Sequence, residues 1–370
     1  MALVWVASGY GQTVAPLAPL PPRRTHASSA PRPLPKVRHP LDLLGDRIES
    51  LVDMISEMDP RPDEYQYVTE SYTAFQVGIL NPQVDPRQDE IVVMITGYNA
   101  STPEYLADTN STRSYRRSKR PIYFIDPNVD PKPPAETAYD LGIVLQKILE
   151  VSGAKRCVLI CHSKAGIDFR ALVTNRAKKS YLTFDYPNST LFERIVGVAF
   201  LAVPHQGVNM FELFDGLRDV YEESHLEELE SPRAYLSNQA IDALFSPTDP
   251  YPGHLYMLNV IGTRPYSPIE MDEILPLPPK NSGEPRSWLN GPWYSLYGRL
   301  GYLDSDGVVR VDEARFQLAN RETKVWTQHD QFFNLASPVM AYVEEAFQRS
   351  AIAPVRPATQ AGAYVPRKPR

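Results

Sequence analysis

KRCVLICHSKAGIDFRALVT, residues 155–174, contains a continuous apolar run (Cys157–Cys161), a short corner (His162-Ser163-Lys164-Ala165-Gly166) and then apolar residues at helical spacing. An apolar run with no polar alternation is what a strand buried on both faces of a parallel sheet requires. A serine on such a strand-to-helix corner has its hydroxyl pushed out above the sheet edge. The helix that starts behind it leaves backbone N–H groups unsatisfied and available. This is the geometry a serine nucleophile needs, and the rest of the chain decides whether Ser163 is one or only a turn residue.

Working outward, Ile91–Ile95, Pro121–Ile125, Ile195–Val203 and Leu255–Ile261 are further short apolar runs that predict buried strands. Tyr65–Leu80 is rich in Tyr, Val and Thr and predicts one or two outer strands. Leu41–Met58 has the spacing of an amphipathic helix, and so does Ala135–Val151, with Ala138, Leu141, Leu145 and Ile148 on one stripe and Val144 and Val151 beside it. Lys324–Thr327 and Ala336–Phe347 close the pattern as strand and helix. Strand and helix alternating in this way predict an α/β domain over 41–350 with a mainly parallel sheet, whose ligands bind at the carboxyl ends of the strands. Thr96-Gly97-Tyr98, His162-Ser163, Pro204-His205 and the loop carrying Asp306 fall at those ends.

Two inserts interrupt the alternation. Residues 207–252 hold an apolar stripe (Phe211, Phe214, Leu217, Tyr221) and an acidic run, Glu222–Glu230, which predict one or two helices over the sheet edge. Residues 264–303 form a long loop too aromatic for disorder. Residues 1–40 and 351–370 are rich in Pro, Ala and Arg with little to bury, and are expected to be disordered tails.

The 370 residues carry a formal net charge of −6. That balance offers no reason to expect nucleic acid as a partner. Arg113, Arg116, Arg117, Lys119 and Arg120 read as a solvated loop face. No apolar run reaches the length of a membrane-spanning helix, and MALVWVASGYG lacks the basic start of a secretory signal. The chain is expected to be cytoplasmic rather than secreted. Cys157 and Cys161, four apart on one predicted strand, lie roughly 13 Å apart and cannot form a disulfide.

A serine hydroxyl needs a base to take its proton, usually a histidine held by a carboxylate. Among the downstream histidines, His225 sits in the acidic run and His254 at the amino end of a predicted strand, whereas His329 follows a strand at its carboxyl end and is the best base. Carboxylate candidates after the Leu255–Ile261 strand are Glu270, Asp272, Glu273, Glu284, Asp304 and Asp306. Asp306, in the turn Ser305-Asp306-Gly307, is preferred, with Asp304 the runner-up. The order serine, acid, histidine is the one a nucleophile on a strand-to-helix corner takes. The oxyanion formed on acyl attack needs two N–H donors, expected from Lys164 and from Tyr98 after Gly97. His162 and His205 lack the spacing of a metal site, and no metal centre is expected.

Taken together, VVMITGYNAS at 92–101, VLICHSKAGIDFRAL at 158–172, FLAVPHQG at 200–207, SDGVV at 305–309 and QHDQF at 328–332 resemble the triacylglycerol lipase group of α/β-hydrolases. The corresponding family segments read strand-HG, GHSxGG followed by a helix with an arginine, TPHxG, NDGxV and NHxD. The resemblance implies an α/β-hydrolase fold: a mainly parallel sheet with helices on both faces and a helical cap or lid at 207–252. It assigns Ser163, Asp306 and His329 as nucleophile, acid and base, with Tyr98 and Lys164 as the oxyanion hole. Thr96 stands where the family has histidine, and Cys161 and Ala165 where it has glycines. A lysine at 164 is unusual, and a bias towards anionic substrates is one reading of it. Calcium is not supported as a cofactor: Asp330 directly follows the histidine and Gln331 occupies the family's ligand position.

The function expected is carboxylic-ester hydrolysis by a lipase or esterase through an acyl-enzyme. Its substrate would be a small-molecule or lipid ester, with a transient lipid interface and no nucleic acid or transmembrane segment. The alternatives are a polyester depolymerase, a thioesterase or an acyltransferase with the same triad, and an inactive scaffold recruiting partners through its proline-rich tails.

Overall fold

Short β-branched runs bounded by charged or turn residues form strands, and the computed structural model of the protein follows that rule. It describes residues 66–69, 75–80, 84–97, 102, 112–127, 132–179, 182–184, 190–209, 232–267, 270 and 298–352. These residues all fall within one compact unit, His39–Arg370. In chain order the elements are β1 (Gln66–Thr69), β2 (Phe75–Ile79), β3 (Glu90–Ile95), α1 (Arg113–Arg116), β4 (Ile122–Pro127), α2 (Pro134–Ser152), β5 (Arg156–His162) and α3 (Lys164–Val173). The hairpin β6 (Lys178–Lys179) and β7 (Leu182–Thr183) follows, then α4 (Leu191–Arg194), β8 (Ile195–Leu201), α5 (Asn238–Leu244), β9 (Tyr256–Gly262) and β10 (Arg321–Val325). A 3-10 turn (His329–Leu335) leads into α6 (Ala336–Ile352).

Eight strands form one sheet in the order β1-β2-β4-β3-β5-β8-β9-β10. Strand β2 pairs antiparallel with β1 and β4, and the other pairings in this sheet are parallel. The central strands are apolar throughout because both faces are covered. Ile91, Val93 and Ile95 of β3 pack with Leu141, Leu145, Ile167 and Phe169 of α2 and α3. The alternating Val92 and Met94 pack on the other face with Val339, Val343 and Phe347 of α6. A mainly parallel sheet with helices on both faces and a serine at the β5–α3 corner is the α/β-hydrolase fold.

Two expectations are corrected. The last strand runs from Arg321 to Val325, earlier than the expected Lys324–Thr327. It is an edge strand paired only with β9 among the described strands, so its side chains are largely exposed and carry no apolar run to mark its start. The basic stretch expected as a solvated loop face contains helix α1, where Tyr115 is buried. Arg120 in the same stretch pairs with Glu90 and Glu344 and lies over the Phe347 ring. The helix expected over 41–58, both tails except for residues 351–352, the core of the cap insert at 210–231 and most of the 264–303 loop lie outside the described residues. Among the described residues no helix is long and apolar enough to cross a membrane.

Candidate active site

The corner after β5 is tight. Ser163 has φ 52° and ψ −127°, in the positive-φ region that side chains rarely occupy and that costs energy wherever it persists. Its N–H donates to the Leu201 carbonyl at 2.9 Å, which ties the corner to β8. Two glycines make room for it. A Cβ at Gly166 would lie 2.3 Å from Val203 Cγ2, and one at Gly97 would lie 2.8 Å from Ser163 Cβ. Cys161 and Ala165, the expected small flanking residues, are both buried. The requirement at Gly166, one residue beyond the serine motif, comes from packing against the β8 loop.

Loops from three strand ends meet at Ser163. His329 starts the 3-10 turn after β10, and its Nε2 is 2.9 Å from Ser163 Oγ. Its Nδ1 is 2.9 Å from Asp306 Oδ2. A carboxylate only accepts, so Nδ1 carries the proton and Nε2 is left with a lone pair facing the serine hydroxyl. Asp306 is buried, and its Oδ1 accepts from the Val308 N–H at 3.0 Å and the Val309 N–H at 2.7 Å. The His329 N–H donates to the Asp306 carbonyl at 2.9 Å, so backbone and side chain both hold the pair. Asp304, the alternative acid, is exposed. Glu270 is engaged with Arg264 at 2.9 Å. His254 donates from Nε2 to the Phe192 carbonyl at 2.7 Å, away from the serine. Asp272, Glu273, Glu284 and His225 lie outside the described residues.

Of the two expected oxyanion donors, Tyr98 lies outside the described residues. Lys164 is the first residue of α3, and among the described residues no backbone carbonyl takes its N–H. Its side chain is buried and ion-paired with Asp168, which corrects the reading of an anionic bias. Lys164 Nζ is buried and donates to Asp168 at 2.7 and 2.9 Å and to Thr137 Oγ1 at 3.0 Å, which staples the first turn of α3 to α2. Burial pushes the Asp168 carboxyl above its usual range although Lys164 opposes this.

The remaining histidines support the scaffold. His162 is buried, which pushes its pKa down to about 3, and its Nε2 donates to the His329 carbonyl at 2.8 Å. His205 stacks on Phe316, and its carbonyl accepts from Arg170 Nη1 at 2.6 Å. Burial, with Arg170 beside it, holds His205 well below the usual range. Among the described residues no three His, Cys, Asp or Glu side chains group as a metal site would require. Sequence reasoning missed the buried carboxylate of Asp126, at the end of β4, which binds Thr96 and Thr102. Its one sequence signal was an acidic residue directly after a buried apolar run.

No protein-family model matches the chain, and no curated protein does. Among solved structures, a Bacillus licheniformis lipase, BlEst2 in mature form, is 16% identical with a TM-score of 0.49, covering 77% of this chain and 99% of that one. The Pyrococcus furiosus esterase Pf2001 is 12% identical with a TM-score of 0.40, covering 80% and 94%. Naproxen esterase from Bacillus subtilis is 13% identical with a TM-score of 0.33, covering 83% and 97%.

Proposed function

We propose that the chain is a serine hydrolase of carboxylic esters, a lipase or esterase that works through an acyl-enzyme. The observation that carries this reading is the continuous relay from Ser163 Oγ to His329 Nε2 at 2.9 Å and from His329 Nδ1 to Asp306 Oδ2 at 2.9 Å, mounted on a serine at φ 52°. In the first half-reaction His329 Nε2 takes the hydroxyl proton as Ser163 Oγ bonds to the ester carbonyl carbon, and the carbonyl electron pair moves onto oxygen. The Lys164 and Tyr98 N–H groups stabilise that oxyanion. Asp306 stabilises the imidazolium without itself taking the proton. As the tetrahedral species collapses, the bond to the leaving oxygen breaks and His329 protonates the departing alcohol. In the second half-reaction water attacks the acyl carbon, His329 takes a proton from it and returns that proton to Ser163 Oγ as the acid leaves.

The substrate class is a small-molecule or lipid ester. Turnover of p-nitrophenyl esters from about C2 to about C16, by wild type and Ser163→Ala, tests the reading and separates an esterase from a lipase by chain-length preference. Turnover that survives in Ser163→Ala would count against it.

A further inference from the structure

Asp126 takes no part in the proton transfers described above, yet its carboxylate is buried at 2% exposure. An ionised carboxylate is costly to bury unless donors meet its oxygens. Here Oδ1 accepts from Thr96 Oγ1 at 2.9 Å and from Thr102 Oγ1 at 2.6 Å, while Oδ2 accepts from the Thr102 N–H at 2.8 Å. The Thr96 N–H is also held by β4, through the Ile125 carbonyl at 3.1 Å. One side chain therefore grips the chain on both sides of Gly97. The Gly97 backbone in turn lies directly on the nucleophile: a Cβ there would be 2.8 Å from Ser163 Cβ and 3.3 Å from Ser163 Oγ.

We propose that Asp126 is a positioning residue for the chemistry at Ser163. Acting through Thr96 and Thr102, it fixes the backbone at Gly97 against the nucleophile, in the loop to which the proposed function assigns one of the oxyanion donors. The inference rests on the serine-hydrolase reading. Thr96 stands where the family pattern has histidine, and its hydroxyl gives this loop a bond to β4 that depends on the carboxylate. A donor that is displaced, rather than lost, leaves ground-state binding intact and weakens only the interaction that grows in the transition state.

The test compares wild type, Asp126→Ala, Thr96→Val and Thr96→Ser. It measures kcat per active serine, titrated by the p-nitrophenol burst, together with KM and the affinity for a trifluoromethyl ketone, which forms the oxyanion on binding Ser163. The expected result for Asp126→Ala is a kcat about 10²-fold lower, with KM changed by less than about 3-fold. Ketone affinity should fall by a similar factor to kcat. Thr96→Val should show a smaller loss in the same direction, and Thr96→Ser, which keeps the hydroxyl, should restore wild-type kcat. A kcat per active serine within about 2-fold of wild type in both Asp126→Ala and Thr96→Val would overturn the proposal. So would a loss confined to the titratable fraction of enzyme, since that marks a purely structural role. If Asp126→Ala does not fold, the Thr96→Val and Thr96→Ser pair decides alone. Wild type that neither turns over esters nor gives a burst would instead sink the hydrolase reading itself.

Discussion

The carbonyl of His329 accepts a hydrogen bond from His162 Nε2 at 2.8 Å, so the residue before the candidate nucleophile holds the backbone of the candidate base. Burial drives the His162 pKa down to about 3, and the ring stays neutral through the working pH range. The bond tethers the 3-10 turn to the end of β5 independently of Asp306.

Replacing His162 with alanine removes that hydrogen bond, at a cost of about 0.5–1.5 kcal/mol. Ester turnover should fall chiefly in kcat, by roughly 10-fold or more, because the base is displaced relative to Ser163. Denaturant unfolding and steady-state kinetics on the same preparation check both halves. Unchanged kcat in a folded His162→Ala protein would show that the tether is dispensable.

Lys164 and Asp168 form a buried pair, each side chain 6% exposed. Breaking it from one side, with Lys164→Met, leaves an uncompensated carboxylate and should destabilise the protein by about 3–5 kcal/mol. Replacing both, with Lys164→Met and Asp168→Leu together, should recover most of that loss, since an apolar pair of similar volume carries no desolvation penalty. Urea midpoints of the single and double variants provide the measurement. A double variant no more stable than Lys164→Met would contradict the account.

Glu313 links the Asp306 loop to the start of the 207–252 insert, accepting from the Asn209 N–H at 2.8 Å and the Arg310 N–H at 2.9 Å. Burial raises its pKa from 4.5 to about 7, although those two bonds oppose the shift. The folded state thus keeps a proton that the unfolded chain has already released. Its contribution to stability is full below about pH 4.5 and is lost as pH rises through about 7. His162 and His205, whose pKa values are lowered, act in the opposite sense at acid pH, so the informative quantity is a difference between proteins. Melting temperature should decline less between about pH 5 and about pH 7 in Glu313→Gln than in wild type. Parallel curves would remove Glu313 from the explanation.

At Gly166 an added methyl would meet Val203 at 2.3 and 2.6 Å. Gly166→Ala should cost about 1–3 kcal/mol by overpacking, and Val203→Ala in the same chain should relieve part of it. Thermal melts of the two single variants and the double variant test this coupling.

The central strands were legible because burial on both faces leaves an unbroken apolar run, as at Ile91–Ile95 and Cys157–Cys161. The edge strand Arg321–Val325 was not, because exposure lets polar residues occupy it and blurs its start. Ser163, Asp306 and His329 could be singled out as candidates from chain order and strand ends, since the topology brings those ends to one edge. The partners of Lys164 and Asp126 could not. The i,i+4 spacing of Lys164 and Asp168 was visible, but nothing local announces that Thr137 of α2 closes over the pair, or that Thr96, Thr102 and Asp126 converge from different parts of the chain. Such contacts depend on how layers pack, and residue periodicity does not encode that.

The central claim is that Ser163 is a nucleophile activated by His329. Its most direct test is mass spectrometry of the full chain after reaction with a fluorophosphonate, with Ser163→Ala and His329→Ala treated in parallel. The account predicts a single adduct on the peptide containing Ser163 in wild type, no adduct in Ser163→Ala, and labelling slowed by about 10³-fold or more in His329→Ala. A folded wild-type protein that takes up no label, or labelling of Ser163 that proceeds equally fast without His329, would contradict it.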